Sequence, residues 1–453
     1  MKIIIAGDGK VGSTLTRQLS AEGCDVTLID IDPKVLESSE ERYDVIAIQG
    51  NAASMDVLEQ AGVMEADLLI AATDEDEVNM LCCLTAHSMN GKIDTVARIR
   101  NPEYAGQIDR MRQSFGLTLT VNPELSAAEE IARLVRFPGF LKVETFSRAH
   151  VDLVELKIGK DSPLRDIVLS DLQGIVKCRV LVCAVLRDGK AIAPDGRFVI
   201  RENDRIFVTA TTENLSTLMK NLGIITRRAK RAMLLGGGRV SYYLAKLLLD
   251  EGLSVEIIEQ NPVRCGELSS LLPDAIIVQG DAGNPAFLDS EGVEETDTLV
   301  TLTGMDELNI ILSLYGRRKN VPQVITKLGR FNDAGMLNEL PLGSVVSPKD
   351  LCSARIVRYV RAKQVQTGEA LMIHMIADNQ AEALEFSVDE HTMHCGEPLR
   401  NIKLKPNVLI ASITHHRSTE IANGSSSYEQ GDAVVVIASG DTIIYSLNDI
   451  FAQ

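Results

Sequence analysis

Apolar residues run without interruption at two places that lie about half the chain apart. Each run is followed by a glycine-rich turn and then by an amphipathic stretch. The segment IIIAGDGKVGSTL begins at residue 3, and the segment AMLLGGGRVSYYL begins at residue 232. A short, continuous apolar run is typical of a strand that is buried on both faces. The pattern therefore predicts a buried strand, a tight turn and a helix at each place.

The two segments belong to a series of matches that repeat after about 230 positions. The acid that ends VTLID, Asp30, corresponds to Glu259 at the end of VEIIE. The segments QGNAAS, ATDEDEVN, ARI and VNP return in the same order as QGDAGN, LTGMDELN, TKL and VSP. Six matches that stay within five residues of one register indicate an internal duplication.

Each half combines two kinds of pattern. Its first part alternates apolar strands with helical stretches, which indicates a parallel sheet covered on both faces. Its second part has short β-rich runs separated by turn signals. The sequence therefore predicts an α/β protein with two Rossmann-like, doubly wound parallel-sheet domains, each followed by a small α+β C-terminal subdomain. We place the two parallel-sheet domains at residues 1–123 and 229–348, and the two linker helices with their β-rich subdomains at 124–228 and 349–453.

A helix is predicted between the two parts of each half, over ELSAAEEIARLVRF in the first and KDLCSARIVRYVRAK in the second. We expect these helices to be solvated linkers, with a hinge that transmits motion between the parts as the alternative. The joint between the halves, NLGIITRRAKRAM, is basic and lacks an apolar pattern over most of its length. We expect it to be a solvated interdomain linker.

The charge composition argues against a polyanion as the main partner. With 63 Asp and Glu against 46 Lys and Arg, the formal net charge is −17. Binding of nucleic acid needs clustered Lys and Arg, so we expect no nucleic-acid partner. No apolar run reaches the roughly 18 residues of a membrane helix, and the opening MKIIIAGDGK predicts a strand and not a signal peptide. The eight cysteines form no CxxC pair, which favours reduced thiols in the cytoplasm.

The first glycine turn has the pattern Gly7-x-Gly9-x-x-Gly12 between the predicted strand and helix. The first glycine permits a tight turn, the second lets the backbone approach a pyrophosphate, and the third lets the helix pack close to the strand. A phosphate would lie on free N–H groups at the positive end of the helix dipole. Asp30 can accept hydrogen bonds from a ribose diol and would repel a 2′-phosphate. The turn therefore predicts a site for NAD(H) or an adenosine nucleotide, against the alternative that it serves packing alone.

The second copy, GGGRVS, departs from the first at one glycine, which is replaced by Ser241. Lys10 and Arg239 follow the second glycine of each turn, where a cation can reach a phosphate or face solvent. Asp8 places a negative charge inside the first turn. We expect that charge to weaken the binding of an anionic ligand unless the side chain points away.

The segment ATDEDEVN begins at the end of a predicted strand, and LTGMDELN is its copy in the second half. Thr73 and the acids after it, Asp74 among them, can cap the next helix. In such folds this edge of the sheet borders the adenosine, so Thr73 and Thr303 are expected to line the pocket. Arg98 and Lys327 end the next strand and are expected either to contact phosphate or to form surface salt bridges.

An enzyme is the main alternative to a binding protein. Tyr242-x-x-x-Lys246 has the spacing of the catalytic pair of short-chain dehydrogenases, but it lies directly after the second glycine turn, and those enzymes place the pair far downstream. His391-x-x-His394-Cys395 has a metal-like spacing, but no further ligand cluster lies near it in the sequence. We therefore expect no catalytic residue and no metal site.

These segments together resemble a known family. The two glycine turns, the acid after each second strand, QGNA/QGDA, ATDEDEVN and ARIR look like the regulator-of-potassium-conductance (RCK) domain. Two such domains in one chain are similar to the peripheral, nucleotide-binding subunit of bacterial and archaeal Trk potassium uptake systems. In the first half the candidate cofactor-binding residues are Gly7, Asp8, Gly9, Lys10, Val11, Gly12, Asp30, Asn51, Ala52, Thr73, Asp74 and Arg98. In the second half they are Gly236, Gly237, Gly238, Arg239, Val240, Glu259, Asp281, Thr303 and Lys327.

The resemblance implies a regulator and not an enzyme. It implies binding of NAD or NADH, and of ATP or ADP, without their consumption. It also implies a homo-oligomeric ring of Rossmann-like domains on the cytoplasmic face of a membrane-integral Trk-type potassium channel subunit, peripheral to the cell membrane. An NAD-dependent oxidoreductase, or a nucleotide or redox sensor without a channel partner, are the alternatives. The sequence leaves open which nucleotide each half binds and whether the ligand activates or inhibits.

Overall fold

The computed structural model describes residues 1–146, 151–223, 229–329, 340, 342–364, 370–377, 380–415, 418–440 and 444–452. Residues 224–228 of the basic joint lie outside the described residues, so the expectation of a solvated linker is untested there. Within the described ranges, no helix combines the length and the apolar character that a membrane span requires.

A six-stranded parallel sheet forms the centre of the first half. Its strands are Lys2–Ala6 (β1), Asp25–Asp30 (β2), Ile46–Gln49 (β3), Leu68–Ala71 (β4), Asp94–Arg98 (β5) and Leu119–Val121 (β6). The connecting helices are Lys10–Ala21 (α1), Pro33–Glu40 (α2), Met55–Gln60 (α3), Asp76–Met89 (α4), Pro102–Ala105 (α5) and Ile108–Met111 (α6). The strand order is β3-β2-β1-β4-β5-β6, so it reverses at β1. The carboxyl end of β1 therefore borders the crevice where Rossmann-type folds bind ligands.

The isoleucine run of β1 explains why this strand is central. Ile3, Ile4 and Ile5 are each at most 1% exposed. Side chains alternate along a strand, so Ile3 and Ile5 pack with α1 on one face, while Ile4 packs with α4 on the other. Both faces of the sheet are thus covered by helices, as the continuous apolar run predicts.

A linker helix, Pro123–Arg136 (α7), leads from the first sheet into a small antiparallel one. Its N-terminus is capped by Asn122, whose side chain accepts the Leu125 N–H at 2.9 Å. The strands that follow are Lys142–Phe146 (β7), Val151–Lys157 (β8), Leu181–Arg187 (β9), Lys190–Ile192 (β10) and Arg205–Ala210 (β11), in the order β10-β9-β11-β8-β7. The helical segments are Leu169–Asp171 (a 3₁₀ turn), Leu172–Val176 (α8) and Thr212–Asn221 (α9).

The second half repeats this architecture. Its parallel strands are Arg231–Leu235 (β12), Ser254–Glu259 (β13), Ile276–Gln279 (β14), Thr298–Thr301 (β15), Gln323–Lys327 (β16) and Ser344–Val346 (β17), in the order β14-β13-β12-β15-β16-β17. The helices are Arg239–Asp250 (α10), Pro262–Leu271 (α11), Pro285–Ser290 (α12), Asp306–Arg318 (α13) and the linker helix Pro348–Gln364 (α14), with a 3₁₀ turn at Val293–Glu295.

A second small antiparallel sheet completes the chain. Its strands are Ala370–Ile376 (β18), Ala381–Ser387 (β19), Val408–His415 (β20), Ser418–Ile421 (β21) and Ala433–Ser439 (β22), in the order β18-β19-β22-β20-β21. Two 3₁₀ turns lie at Leu399–Asn401 and Leu447–Ile450. The predicted fold class, two Rossmann-like parallel-sheet domains each followed by a small α+β subdomain, is confirmed.

Each linker helix packs on the parallel-sheet domain of the other half. Ile131 of α7 shares a core with Leu244 of α10, and Ile356 of α14 shares a core with Leu15 of α1. Ile131 and Ile356 are both 0% exposed. The expectation of solvated linkers is therefore wrong. The apolar stripe of each helix finds its partner in the other half of the chain, which the local pattern could not show.

The two small subdomains also pack against each other. Phe146 and Phe207 of the first share a core with Ile376 and Val435 of the second. Across the same contact the side-chain amide of Gln380 donates to Gly189 O at 2.7 Å. The halves are thus joined both through the exchanged linker helices and through the small sheets.

Candidate functional site

The first glycine turn lies at the carboxyl end of β1, and each glycine in it meets a different constraint. Gly7 has φ +95°, and a Cβ there would lie 2.8 Å from the Thr73 nitrogen. A Cβ on Gly12 would lie 1.9 Å from Gly7 O. Gly9 is the N-cap of α1, and a Cβ there would meet nothing within 4 Å. The first and third glycines are thus required by packing, whereas the second leaves open space at a helix N-terminus, where an anion is favoured.

The acid at the end of the second strand holds the glycine turn in both halves. Asp30 accepts the Asp8 N–H at 2.7 Å, and Glu259 accepts the Gly237 N–H at 2.6 Å. The other oxygen of each carboxylate accepts the N–H two residues further along, at 2.9 Å in the first half and 2.8 Å in the second. A carboxylate oxygen has more than one acceptor position, so both acids retain capacity for a ribose hydroxyl while they fix the turn.

The carboxylate of Asp8 is turned against α2. Its side chain is buried, with 5% of the residue exposed, and Ser39 donates its hydroxyl to it at 2.5 Å. Burial raises the pKa of Asp8 to about 6, against the lowering effect of the Ser39 bond. The second half has Gly237 here, and a Cβ on that glycine would lie 2.7 Å from Leu268 Cδ1. The two turns therefore differ in charge at equivalent positions.

The second turn accommodates a serine where the first has its third glycine. Gly236 has φ +106°, so its backbone is in the left-handed region, like that of Gly7. Ser241 donates its hydroxyl to Gly236 O, so the added side chain is used within the turn. Arg264 of α11 donates to Gly237 O at 2.7 Å. These bonds leave Gly238 open, since a Cβ there would meet nothing within 4 Å.

An asparagine in the helix after the fourth strand, which is not among the sequence-predicted site residues, organises the edge of each sheet. Asn79 accepts from the N–H and the hydroxyl of Thr73, at 2.8 and 2.7 Å. Its amide donates to Thr73 O at 3.1 Å and to Arg98 O at 2.9 Å. Asn309 makes the equivalent bonds to Thr303 and to the end of β16. The repetition of N in ATDEDEVN and LTGMDELN was the signal that could have found it.

The two cations at the ends of β5 and β16 are buried in the case of Arg98 and half-buried in the case of Lys327. Arg98 is 7% exposed and donates to Thr73 O and, at 3.1 Å, to Asp74. Burial lowers the pKa of Arg98, and Arg100 adds to that effect. Lys327 donates to Leu302 O at 3.0 Å, and burial lowers its pKa. Arg98 therefore forms an ion pair with the exposed Asp74, whereas Lys327 donates to a backbone carbonyl, and contact of either cation with phosphate stays a prediction.

Some of the remaining predicted site residues are buried, and the others are exposed. Val11 and Val240 are buried at 3% and 6% exposure and pack into the core, so only their backbone can face a ligand. Ala52 is buried as well, at 5% exposure. Asn51 and Asp281 are exposed loop residues after β3 and β14, where each side chain accepts the N–H two residues on, at 3.0 and 2.8 Å.

The cation after each second glycine is exposed at the start of its helix. Lys10 and Arg239 are both exposed. Lys10 also faces the second half, because a Cβ placed on Gly329 would lie 3.6 Å from Lys10 Nζ. Gly329 follows β16 and donates its N–H to Asp306 at 2.9 Å. The first glycine turn is thus close to the edge of the second sheet, and the two candidate sites are neighbours.

The two members of the candidate catalytic pair have different surroundings. Lys246 is exposed, whereas the neighbouring Tyr243 is buried and bonded to Arg100 O of the first half. Tyr242 contacts the Tyr243 ring edge-on, with 5.4 Å between ring centroids. Within the described part of the chain, no three His, Cys, Asp or Glu side chains are arranged to hold a metal ion.

Two family models match parts of this chain. A family model described as the TrkA-N domain matches residues 3–123 and 232–348, more than half of the chain, and one described as the TrkA-C domain matches 153–223. A Trk system potassium uptake protein TrkA from Vibrio alginolyticus is 30% identical over 100% of this chain and 98% of its own. A TrkA homolog from Methanosarcina mazei is 31% identical over 97% of both chains.

Solved structures share the fold at lower identity. The crystal structure of the GsuK RCK domain superposes with a TM-score of 0.63 at 16% identity, covering 97% of this chain and 92% of that one. A GsuK channel bound to NAD gives a TM-score of 0.61 at 17% identity, covering 97% of this chain and 76% of that one.

Proposed function

This chain belongs to the TrkA family of Trk-system potassium uptake proteins, and from that membership we propose that it is a nucleotide-sensing regulatory subunit. It binds NAD(H), ATP or ADP without consuming them and gates a membrane potassium-uptake channel. The functional units keep the boundaries predicted from the sequence, with nucleotide domains at 1–123 and 229–348 and small subdomains at 124–228 and 349–453.

One observation carries the nucleotide part of the proposal. In both halves the acid at the end of the second strand accepts the N–H of the second residue of the glycine turn, at 2.7 and 2.6 Å. The glycine that follows lies at the N-terminus of a helix, and a Cβ there would meet nothing within 4 Å. Phosphate is favoured at such an N-terminus, and the acid favours a ribose diol over a 2′-phosphate. The RCK structures of GsuK, described with NAD and with ADP bound, have the same fold and support these two ligands.

The regulatory part follows from the family and from what surrounds the site. The membrane partner is a Trk-type potassium channel subunit, and the protein works as a homo-oligomeric ring of Rossmann-like domains on its cytoplasmic face. No nucleophile or general base is proposed, because the Tyr242–Lys246 pair is split between a ring contact and solvent. A gate requires only that the ligand bind two states with different affinity.

Calorimetric titration with NAD, NADH, ATP and ADP tests the proposal, and the fold offers a matched pair of site-silencing variants. Gly9 and Gly238 cap their helices with φ −71° and −70°, which any residue can adopt. Asp is a favoured N-cap residue, so Gly9→Asp and Gly238→Asp are expected to fold while they place a carboxylate against the phosphate. We expect two ligands per wild-type chain and one in each variant.

Binding that survives in full in both variants would place the nucleotides elsewhere. A chain that binds none of the four ligands would overturn the nucleotide part outright. The enzyme alternative is tested separately by following NADH absorbance with keto acids, where we expect no change. A steady loss of NADH would replace the regulator with an oxidoreductase.

A further inference from the structure

A tyrosine one turn into the second glycine helix reaches the edge of the first sheet. Tyr243 of α10 is 8% exposed. Its hydroxyl donates to Arg100 O at 3.0 Å and accepts from the Asn122 amide at 3.1 Å. Both partners belong to the first half, at the ends of β5 and β6. Burial also raises the pKa of Tyr243, so the hydroxyl stays neutral and able to donate.

The backbone that Tyr243 holds is part of the first candidate site. Arg100 donates its N–H to Asp76 at 2.8 Å, and its guanidinium donates to Asp74 O. Asp74 in turn pairs with Arg98 at 3.1 Å. Tyr243 is therefore connected to the edge of the first sheet through Arg100, which bonds to Asp74, and through the ion pair of Asp74 with Arg98.

The residue at the equivalent position of the first half makes a different contact. The position equivalent to Tyr243 in the first half is Thr14, whose hydroxyl donates to Lys10 O in its own helix at 2.8 Å. The position equivalent to Arg100 is Gly329, which has no side chain. Among the described residues, the hydroxyl bridge therefore runs from the second glycine helix to the first site, and the hydroxyl at the equivalent first-half position bonds within its own helix.

We propose that Tyr243 is a positioning residue that couples the two nucleotide sites. A phosphate at the open N-terminus of α10 acts on the same rigid helix that carries Tyr243, and the hydroxyl transfers the helix position to the Arg98–Arg100 strand end. Coupling of this kind changes the affinity of each site when the other is filled, by the same factor in both directions. This inference rests on the proposed function, because it needs a ligand at both turns.

The test measures a coupling factor with ADP as the probe. The factor is the association constant for loading both sites of the intact chain, divided by the product of the single-site constants measured in Gly9→Asp and Gly238→Asp. It is determined again with Tyr243→Phe, which removes one oxygen and keeps the ring. The matched control is Tyr242→Phe, at the adjacent position, whose hydroxyl makes no hydrogen bond to another described residue. We expect the chain with the native residue and the Tyr242→Phe chain to give a coupling factor that differs from one by about fivefold. The Tyr243→Phe chain should give a coupling factor near one.

Amide hydrogen exchange provides a second, local measurement. In the Gly9→Asp chain only the second site can bind, so ADP should change exchange at the Arg100 and Asn101 amides, which both donate to Asp76. With Tyr243→Phe added, that change should disappear while ADP still binds. A factor that Tyr243→Phe leaves unaltered, or a native factor of one, overturns the inference. Absence of any ADP binding is a different result, since it removes the proposed function itself.

Discussion

Ser39 donates its hydroxyl hydrogen to the Asp8 carboxylate at 2.5 Å, across the gap between α2 and the first glycine turn. That bond satisfies only one oxygen. Among the described residues the other, Oδ1, is buried without a hydrogen-bond partner. Burial raises the pKa of Asp8 to about 6, and the nearby charge of Asp30 adds to the increase. The turn therefore contains a carboxylate that is costly to ionise.

Replacement of that carboxylate should stabilise the protein at neutral and higher pH. The unfolded chain keeps an Asp8 pKa near 3.8 while the folded chain has about 6, so the folded state binds the extra proton between these values. Stability is then lost as the pH rises through that window. We expect Asp8→Asn to raise the free energy of unfolding by about 1–3 kcal/mol at pH 8. Denaturant titrations over a pH series measure this.

The gain should shrink as the pH falls and vanish below about pH 3, where Asp8 is neutral in both states. Asp195→Asn removes an exposed carboxylate that accepts the N–H of Arg197 at 2.9 Å, and this control should not raise the free energy of unfolding at pH 8. An Asp8→Asn chain no more stable than wild type at pH 8 would contradict the assigned burial cost.

The parts of the site that the sequence could predict are those set by local spacing. The glycines and the acids of each turn lie within a single strand–turn–helix–strand unit, where backbone geometry fixes the residue type. Asn79 was missed because an asparagine in a polar helix start also fits a surface position. Its role appears only when β4 and β5 bring Thr73 and Arg98 together.

Contacts between the halves could not be predicted for a different reason. Tyr243 bonds to Arg100 and Gln323 bonds to Leu134 O at 2.6 Å, over separations of 143 and 189 residues. Such pairs depend on how two finished domains dock. The apolar stripe of each linker helix indicates that one face of the helix is buried. Nothing in the local sequence indicates which surface covers that face.

Loss of the Asn79 amide should disrupt the first sheet edge and the first site together. Asn79→Ala removes four hydrogen bonds and leaves the Thr73 N–H and Arg98 O without that partner, so we expect a loss of about 2–4 kcal/mol in unfolding free energy. We also expect nucleotide affinity to fall at the first site only. Asn309→Ala should act in the same way on the second site. Calorimetry and denaturant titration measure the two effects.

A control for this prediction lies in the same domain. Asn90 donates to Val63 O at 2.9 Å, away from the glycine turn. Asn90→Ala should lower stability and leave nucleotide affinity unchanged. Equal loss of affinity in Asn79→Ala and Asn90→Ala would show that the effect reports general destabilisation.

The third glycine of the first turn should not tolerate a side chain, although its counterpart is a serine. A Cβ on Gly12 would lie 1.9 Å from Gly7 O, so Gly12→Ala must displace the turn. We expect a loss of about 1–3 kcal/mol and weaker binding at the first site. Ser241→Ala is the comparison, since it keeps the Cβ and removes only the bond to Gly236 O. It should cost about 1 kcal/mol or less. Thermal unfolding and titration distinguish the two, and a neutral Gly12→Ala would show that this turn adjusts freely.

Arg361 joins three parts of the chain, and its removal should cost far more than removal of its counterpart in the first half. It contacts Glu22 at the end of α1 at 2.6 Å and Glu382 of β19 at 2.7 Å, with all three side chains at most 18% exposed. These acids raise its pKa although burial opposes them. Arg361→Ala leaves two largely buried carboxylates unpaired, so we expect a loss of about 2–4 kcal/mol.

The equivalent pair in the first half is the matched control, because Arg136 meets Glu251 with 57% of the arginine side chain exposed. Arg136→Ala should cost less than about 1 kcal/mol, since solvent screens an exposed pair. Removing charge on all sides with Glu22→Gln, Glu382→Gln and Arg361→Met together should recover most of the stability, because the penalty comes from unpaired charge and not from lost packing. Denaturant unfolding of the single and triple variants measures the difference. A triple variant as unstable as Arg361→Ala would mean that the arginine acts through its packed stem, and that the exchanged linker helix is held to α1 by apolar contact alone.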